Sequence, residues 1–347
     1  MPNSSSKKTT DKPATLKDVA ELAGVTHSTV SRVINHPEIV NPKTREKIWQ
    51  CIRDLDYQPN PFARGLQTSL SGMIALVVPS ITNLAFANFA RGVQSCLEQN
   101  ESYGLTIASS DENCAKEQSI CLMLRQHWVD GVIFVSSAGG IPPIELLPQK
   151  MAKVLVERSC KSEDIDTYQL DLDEGVKKAC EHLYGLGHSK IAIILGDSMS
   201  ITSKERLKSF KKALNVLELS YRNEYIEKGM WTSWDAKAAM IRLLHLEDPP
   251  TAVFAITDTM AMGAIAGAAE LGLNVPMDVS IIGFNNELGS AEYNPPLTTL
   301  DTSSFEMGRD AAETLLRRVG EPGRPSVEIM YSTKLLIRAS TAPPKKL

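Results

Sequence analysis

The sequence predicts a small all-α helix-turn-helix domain at the N-terminus, followed by a larger α/β domain with parallel sheets. Residues 15–35 read TLKDVAELAGVTHSTVSRVIN, in which a glycine separates two short apolar stripes at helical spacing. From Gly72 onward, short apolar runs such as MIALVV and GVIFVSS alternate with helical segments. Continuous apolar strands between helices are typical of parallel sheets that are buried on both faces.

The first helix is predicted to begin after Thr15, which is a good N-cap. Asp18 places a carboxylate in the first turn, where the helix dipole favours negative charge. Gly24 then supplies the left-handed backbone that ends many helices. One apolar stripe is formed by Leu16, Val19, Ala20 and Ala23.

The second helix is predicted to begin after Thr26 and to bury Val30, Val33 and Ile34. Its outer face is small and polar and consists of His27, Ser28, Thr29, Ser31 and Arg32. Such a helix can enter the major groove of DNA with its N-terminal residues against the base edges. The alternative is an ordinary helical hairpin whose polar face is only solvated.

A third helix is predicted from Asn41-Pro42, a cap followed by proline at the first helical position. The run YQPNPFARGLQTS follows it, and Asn60 and Pro61 begin a segment of about two turns there. Such a segment is too short to be a stable helix alone, since isolated helices below about 12 residues are marginal. It nevertheless carries Arg64 and the apolar Leu66.

With the ordered set DVAxxAGVTxxTVSRVIN, NPxTRxKI and YxPNxxARGL, the chain resembles the LacI/GalR family of bacterial transcription regulators. The resemblance implies that His27 and Ser28 are variable base readers, that Arg32 is a further base contact and that Leu66 is a minor-groove wedge. It also implies that the short segment with Asn60 and Arg64 folds when two protomers meet on DNA. Phosphate contacts would come from Thr15, Thr26, Thr29, Ser31, Asn35 and Asn41.

The resemblance further implies an effector-binding and dimerisation domain of two α/β lobes, like periplasmic sugar-binding proteins, over residues 72–341. We expect one lobe near 72–168 and 300–328 and the other near 169–299 and 329–341. Residues 15–59 would be the helix-turn-helix domain and 60–71 the hinge helix and linker. Residues 1–14 are polar, and we expect them to be a disordered tail.

The cleft between such lobes is the expected ligand site, because ligands bind at the carboxyl ends of strands in α/β sheets. Polar residues follow the apolar runs there, namely Glu157, Arg158, Thr257, Asp258 and Asn285. The resemblance adds Phe86, Arg206 and Trp231 to the effector-contacting positions. Sugar-binding relatives usually carry aspartate where this chain has Glu157 and Asn285. The carboxylate missing at Asn285 makes the cleft less acidic while Arg158 and Arg206 stay, which favours an acidic or phosphorylated sugar among the sugar effectors.

Structural roles for these residues remain open alternatives at this point. Trp231 and Phe86 can be core aromatics, and Glu157 can pair with Arg158 or Arg206 as a structural ion pair. A small polyhydroxylated ligand is nevertheless well matched by carboxylates, amides and an aromatic face. The sequence therefore predicts a sugar or sugar-derived effector.

The charge distribution agrees with a DNA-binding N-terminus. The net charge is −4, yet residues 1–70 carry ten Lys or Arg against seven Asp or Glu. Because this excess of positive charge is small for a DNA-binding domain, we expect a homodimer that places two basic faces on one double-stranded operator. No leucine heptads follow the last strand, so a coiled-coil tetramer is not predicted.

Other function classes find little support in the sequence. We find no GxSxG, GxxxxGK[ST] or GxGxxG motif, so no enzyme is predicted. The six cysteines form no CxxC pair, so we expect no metal site and no cofactor. Without a signal peptide or a membrane span, a cytoplasmic regulator is expected. A solute-binding protein of sugar transport is the alternative.

Overall fold

The computed structural model describes residues 14–58, 70–100, 103–126, 129–135, 143–158 and 162–345. Contacts divide the chain into two compact units, Met1–Ser71 and Gly72–Leu347. The expected hinge residues Asn60, Arg64 and Leu66, and residues 1–13 of the expected tail, lie outside the described residues.

The first unit contains α1 (Leu16–Ala23), α2 (His27–Asn35), the 3₁₀ turn Pro37–Ile39 and α3 (Pro42–Asp54). The three helices share one apolar core, in which the stripes predicted from the sequence meet. Its buried members are Val19, Ala20, Ala23, Val30, Val33, Ile48, Cys51 and Ile52.

The second unit begins with a lobe built on a six-stranded parallel sheet, which we call lobe 1. Its strands are β1 (Met73–Val78), β2 (Gly104–Ser109), β3 (Gly131–Val135), β4 (Ala152–Val156), β5 (Ile165–Leu170) and β11 (Glu328–Tyr331). The strand order is β11-β5-β4-β3-β1-β2. Helices α4 (Leu84–Glu98), α5 (Cys114–Gln126) and α10 (Ser304–Gly320) cover the sheet, and two apolar clusters fill its two faces.

Lobe 2 is built on a second six-stranded sheet. Its strands are β6 (Ile191–Leu195), β7 (Ile226–Lys228), β8 (Ala252–Ala255), β9 (Ser280–Asn285), β10 (Thr298–Asp301) and β12 (Lys334–Leu336). The order is β12-β10-β9-β8-β6-β7, in which β12 pairs antiparallel to β10. The helices of this lobe are α6 (Leu172–Gly185), α7 (Ile201–Val216), α8 (Ser233–Leu244) and α9 (Asp258–Glu270).

The structure places the crossings between the lobes within a few residues of the approximate positions expected from the sequence. β5 stays in lobe 1 to Leu170, and β10 stays in lobe 2 to Asp301. β11 pairs with β5, so lobe 1 extends to Tyr331 instead of ending at 328. These strand ends lie two or three residues beyond the approximate boundaries expected near 168, 299 and 328, because strand pairing and not local pattern decides where each crossing falls.

Close helix packing fixes α4 against α10 in lobe 1. A Cβ atom added at Gly92 would lie 2.0 Å from the carbonyl oxygen of Phe305, and one at Gly308 would lie 2.2 Å from that of Phe89. Only glycine allows the two backbones to approach this closely. This packing holds the N-terminus of α4, which carries Phe86, at the cleft edge of lobe 1.

Among the described residues, no helix combines the length and the apolar character that crossing a membrane requires.

Candidate nucleic-acid interface and effector cavity

The helix-turn-helix is held in place by local hydrogen bonds at its helix ends. Thr15 and Asp18 form a capping box, in which the Thr15 amide and hydroxyl both donate to Asp18 Oδ2 at 2.7 Å. These bonds hold the pKa of Asp18 below its usual range. Gly24 adopts φ 65° and turns the chain, and Thr26 then caps α2 by accepting from the Thr29 amide.

The N-terminal half of α2 presents a polar face to solvent. His27, Ser28 and Arg32 are exposed, whereas Val30 and Val33 on the opposite side are fully buried. The Thr26 hydroxyl lies 2.8 Å from that of Ser28. This face has the shape and chemistry of a recognition helix that can enter the major groove.

The other residues predicted to contact DNA differ in burial and in hydrogen bonding. Ser31 and Thr29 are half-buried beside the recognition face, and Thr29 Oγ1 lies 2.9 Å from Thr26 Oγ1. Asn41 caps α3 by accepting from the Lys43 amide at 3.0 Å. Asn35 lies at the end of α2, and its side chain is outside the described part.

A cavity between the lobes, which we call the inner cavity, brings together most of the predicted effector contacts. It is lined by Asn83, Ala85, Phe86, Glu112, Glu157, Thr202, Arg206, Trp231, Thr257 and Asn285. The volume open to the centres of water molecules in this cavity is about 20 Å³, which is enough for one or two waters.

The strand ends place these side chains. Glu157 directly follows β4 with φ 62°, and Asn285 ends β9 with φ 101°. Thr257 follows β8 and caps α9, since its hydroxyl accepts from the Met260 amide at 3.1 Å. Because non-glycine residues rarely adopt positive φ, the turns after β4 and β9 carry local strain at the cavity.

Arg206 is the central cation of the inner cavity. It is 5% exposed, its Nη1 donates to the Ile256 carbonyl, and its Cζ lies 3.9 Å from the centroid of the Phe284 ring. Burial lowers the pKa of Arg206, and the nearby Glu157 and Glu287 carboxylates act against this shift. In the described part of the chain Arg206 is in no ion pair, so its remaining donors are available to a ligand.

Arg158 and Asp258 do not line the inner cavity, contrary to expectation. Arg158 lies beside the cavity, where Nη1 donates to the Glu157 carbonyl at 2.6 Å and to Glu205 at 3.3 Å, and Nη2 donates to the Thr202 hydroxyl at 3.3 Å. It lines an adjoining outer pocket together with Gln169, Asp171, Asp173, Glu205, Lys208 and Met330, and this pocket shares Glu157, Thr202 and Arg206 with the inner cavity. Glu157 therefore lines both spaces, whereas Arg158 lines only the outer pocket.

Asp258 has a structural position beneath the cavity. It is fully buried, and its carboxylate accepts from the Thr299 hydroxyl at 2.5 Å and the Glu287 amide at 2.7 Å. Burial raises the pKa of Asp258 to about 7. Glu287 in turn accepts from the Thr259 amide at 3.0 Å and hydroxyl at 2.7 Å. These bonds tie β9, β10 and α9 together behind Asn285.

Sequence reasoning missed Glu112, Asn83 and Thr202 as cavity residues. Asn83 is the N-cap of α4 and Thr202 lies in the first turn of α7, so both look like ordinary helix-start residues. Glu112 lies in a polar turn after β2, and nothing in the local pattern marks it. For Asn83, the only sign of a cavity position in the sequence was that it could cap a helix shortly after a buried strand.

Comparisons with known proteins agree with this architecture. A family model described as "Bacterial regulatory proteins, lacI family" matches residues 15–60, and one described as "Periplasmic binding protein-like domain" matches residues 180–341. The "HTH-type transcriptional repressor PurR" of Actinobacillus pleuropneumoniae is 36% identical over 308 residues, which are 88% of this chain and 91% of that protein.

Solved structures give the same result. A Lac repressor dimer bound to operator and the anti-inducer ONPF is similar with a TM-score of 0.85 and 26% identity, over 95% of this chain and 100% of that chain. A complex of the transcriptional regulator CelR with cellobiose is similar with a TM-score of 0.69 and 28% identity, over 94% and 99%. Since such relatives match nearly end to end, this chain belongs to the LacI family of bacterial regulatory proteins and is a DNA-binding transcriptional regulator.

Proposed function

We propose that this regulator is a repressor that binds a near-palindromic operator as a homodimer and is controlled by a small effector in the inner cavity. The observation that carries the proposal is the pairing of an exposed polar recognition face on α2 with a buried polar cavity between two lobes. DNA binding and effector binding would thus reside in different units of one chain.

The DNA contacts of the proposal are sorted by chemistry. We assign base reading to His27, Ser28 and Arg32, because they are exposed at one face of α2. We assign phosphate contacts to the capping and hydroxyl residues, namely Thr15, Thr26, Thr29, Ser31, Asn35 and Asn41. Asn60 and Arg64 would contribute from the hinge segment, and Leu66 would be its minor-groove wedge.

The effector is proposed to be a sugar or a sugar derivative. The inner cavity offers carboxylate acceptors at Glu112 and Glu157, donors at Arg206 and Asn285, and the aromatic face of Trp231. Paired donors and acceptors beside an aromatic ring match a polyhydroxylated ring with an apolar C–H face. The related regulator bound to cellobiose supports this class.

Control is proposed to work through the relative orientation of the lobes. Glu112, Glu157 and the helix that carries Phe86 belong to lobe 1, whereas Arg206 and Trp231 belong to lobe 2, so a ligand between them biases the lobe angle. A ligand shifts this equilibrium only by its different affinity for the two orientations. We expect an inducer that favours the orientation in which the dimer releases the operator.

A solute-binding protein of sugar transport is the competing function for such a cavity. The N-terminal unit decides against it, because its match to a regulatory-protein family covers residues 15–60 and its recognition face is exposed. We further propose that the chain catalyses no reaction and acts in the cytoplasm, where its DNA target is.

Two experiments test the proposal. Selection of random duplexes by the full chain should enrich a near-palindromic sequence, which gel retardation then confirms against a scrambled duplex. Thermal-shift screening against sugars, sugar acids and sugar phosphates should find a ligand, since one present at 100 times its Kd adds about 2.7 kcal/mol of stability. Enrichment of no sequence would overturn the regulator proposal, whereas a failed ligand screen would overturn only the effector class.

A further inference from the structure

Arg158 is a lobe 1 residue whose side chain contacts lobe 2. It lies two residues beyond the end of β4, and its Nη1 donates to the Glu157 carbonyl at 2.6 Å, which holds the guanidinium on lobe 1. Nη1 also donates to Glu205 Oε2 at 3.3 Å, and Nη2 donates to the Thr202 hydroxyl at 3.3 Å. Thr202 and Glu205 both lie on α7 of lobe 2. We call these two contacts between the lobes the interlobe latch.

The cation of the latch is buried, whereas its anion is half exposed. The Arg158 side chain is 9% exposed, and its Nε has no hydrogen-bond partner within the described part of the chain. The Glu205 side chain is 52% exposed, so solvent screens its charge and the ion pair by itself is weak. An orientation of the lobes that separates α7 from β4 exchanges both latch bonds for bonds to water. The net contribution of the latch is therefore modest, and it favours the orientation seen here.

One face of α7 carries both the latch contacts and the central cation of the inner cavity. Glu205 and Arg206 follow Thr202 by three and four residues, which places the three side chains next to each other on the helix. Thr202 lines the inner cavity as well as the outer pocket. Since a guanidinium only donates, the Thr202 oxygen accepts from Arg158 and its own proton is left for another acceptor. A shift of α7 relative to β4 therefore breaks the latch and changes the inner cavity together.

We propose that Arg158 is a positioning residue of the effector response, which stabilises this orientation of the lobes through Thr202 and Glu205. The inference rests on the proposed control by lobe orientation and names a contact that sets the balance between the orientations. A partner that prefers this orientation gains from the latch, and a partner that prefers another one has to break it. Loss of the latch therefore changes operator affinity even when no effector is present.

Two variants remove the latch to different extents. Glu205→Ala removes the ion pair at a half-exposed position, and Arg158→Met keeps the length of the side chain without any donor. Adding Glu205→Ala to Arg158→Met should have no further effect, because the partner of Glu205 is then already absent. The matched control is Glu181→Ala, since Glu181 is a half-exposed helical carboxylate that pairs with Lys177 on its own helix at 3.6 Å.

The first test is amide hydrogen exchange of the full-length protein without effector, with circular dichroism to show that each variant is folded. In Glu205→Ala and Arg158→Met, exchange should rise about 3- to 10-fold in cavity segments remote from the latch, the effect of one modest hydrogen bond. These segments are residues 83–86 of lobe 1 and 229–231 of lobe 2. The buried core strands β3 and β8 should exchange as in the natural protein, because the lobes turn without unfolding.

The control and the extent of the change decide the outcome. In Glu181→Ala, exchange in the remote cavity segments should match that of the natural protein. Faster exchange confined to residues 157–158 and 201–206 would show a local contact only and overturn the latch. An equal rise in β3 and β8 would show a general loss of stability and would overturn it too.

The second test measures the Kd of the selected operator duplex by gel retardation without effector. Glu205→Ala and Arg158→Met should change this Kd in the same direction by about 2- to 10-fold, and the double variant no more than Arg158→Met alone. Glu181→Ala should leave it unchanged. An operator Kd that is the same in both latch variants would overturn the role of Arg158 in the response. Selection of no operator would instead count against the regulator function, and hydrogen exchange still decides on the latch by itself.

Discussion

At the residue scale, the inner cavity depends on one buried guanidinium. Arg206 contacts the Ile256 carbonyl and the Phe284 ring on its own lobe. These contacts fix its plane, so its free donors point into the cavity in a defined direction. A planar fork of this kind binds a carboxylate or a diol through two parallel hydrogen bonds, which an ammonium group cannot do.

We therefore expect Arg206→Lys to weaken effector binding about 10- to 100-fold, the effect of losing a charged hydrogen bond. Operator binding in the absence of effector should change little. Calorimetry with the effector found by screening measures the first effect, and gel retardation the second. Arg242→Lys is the matched control, because Arg242 makes a two-nitrogen contact to Glu227 on the surface. Equal losses in both variants would contradict the role of Arg206.

The recognition face gives a second prediction at this scale. Replacing His27 by Ala should change which base is preferred at one operator position, because a lost major-groove contact is worth about 1–3 kcal/mol of discrimination. Repeating the duplex selection with the variant measures this change. His36→Ala is the control, since His36 is exposed beyond the end of α2. An unchanged preference in His27→Ala would reject it as a base reader.

Residue positions were only partly predictable from the sequence. Phe86, Glu157, Arg206, Trp231, Thr257 and Asn285 line one cavity. Arg158 and Asp258 were expected there because they follow strand ends, but Arg158 lines only the adjoining outer pocket and Asp258 is fully buried behind the cavity. Glu112 could not be predicted, because it meets the other cavity residues only where lobe 1 faces lobe 2, and they are distant from it in sequence.

At the scale of elements, helix ends were the most predictable features. Thr15, Gly24, Thr26 and Asn41 cap or end the helices where the sequence suggested, because caps are chosen by local hydrogen bonds. The crossing points between the lobes could be expected only to within a few residues. β11 joins lobe 1 by pairing with β5, and pairing between strands so distant in sequence leaves no local signal.

The close contact between α4 and α10 leads to a prediction about the stability of the protein. Gly92→Ala should destabilise the protein by about 1–3 kcal/mol or more, because the added methyl group meets backbone atoms that cannot move aside. Gly185→Ala is the matched control: its Cβ would meet nothing within 4 Å, so helix propensity should stabilise the protein by up to about 1 kcal/mol. Urea denaturation measures both. A Gly92→Ala protein as stable as the natural one would contradict this packing.

At the scale of the whole molecule, the excess of positive charge lies in the same N-terminal unit as the helix-turn-helix. Residues 1–70 carry the positive balance, and the remainder carries 27 Lys or Arg against 34 Asp or Glu. The acidic unit would repel DNA, so contacts to phosphate must come from the N-terminal unit. Because one such unit has few cations, joint binding by two protomers is needed for high affinity.

Joint binding also gives Leu66, which we proposed as the minor-groove wedge, a testable role. Leu66→Ser should weaken binding to the selected operator and leave binding to random duplex nearly unchanged, because the wedge acts only where the minor groove opens. Gel retardation with both duplexes measures the ratio. A parallel loss for the two duplexes would show that Leu66 does not act as a wedge.

The central claim is that occupancy of the inner cavity sets operator affinity, and reciprocal titration tests it most directly. Operator Kd is measured by fluorescence anisotropy with and without saturating effector, and effector Kd by calorimetry with and without operator. Linkage requires both constants to change by the same factor, which we expect to lie between about 5 and 150. A ligand that binds the natural protein, loses affinity in Arg206→Lys and yet leaves operator Kd unchanged would contradict the claim.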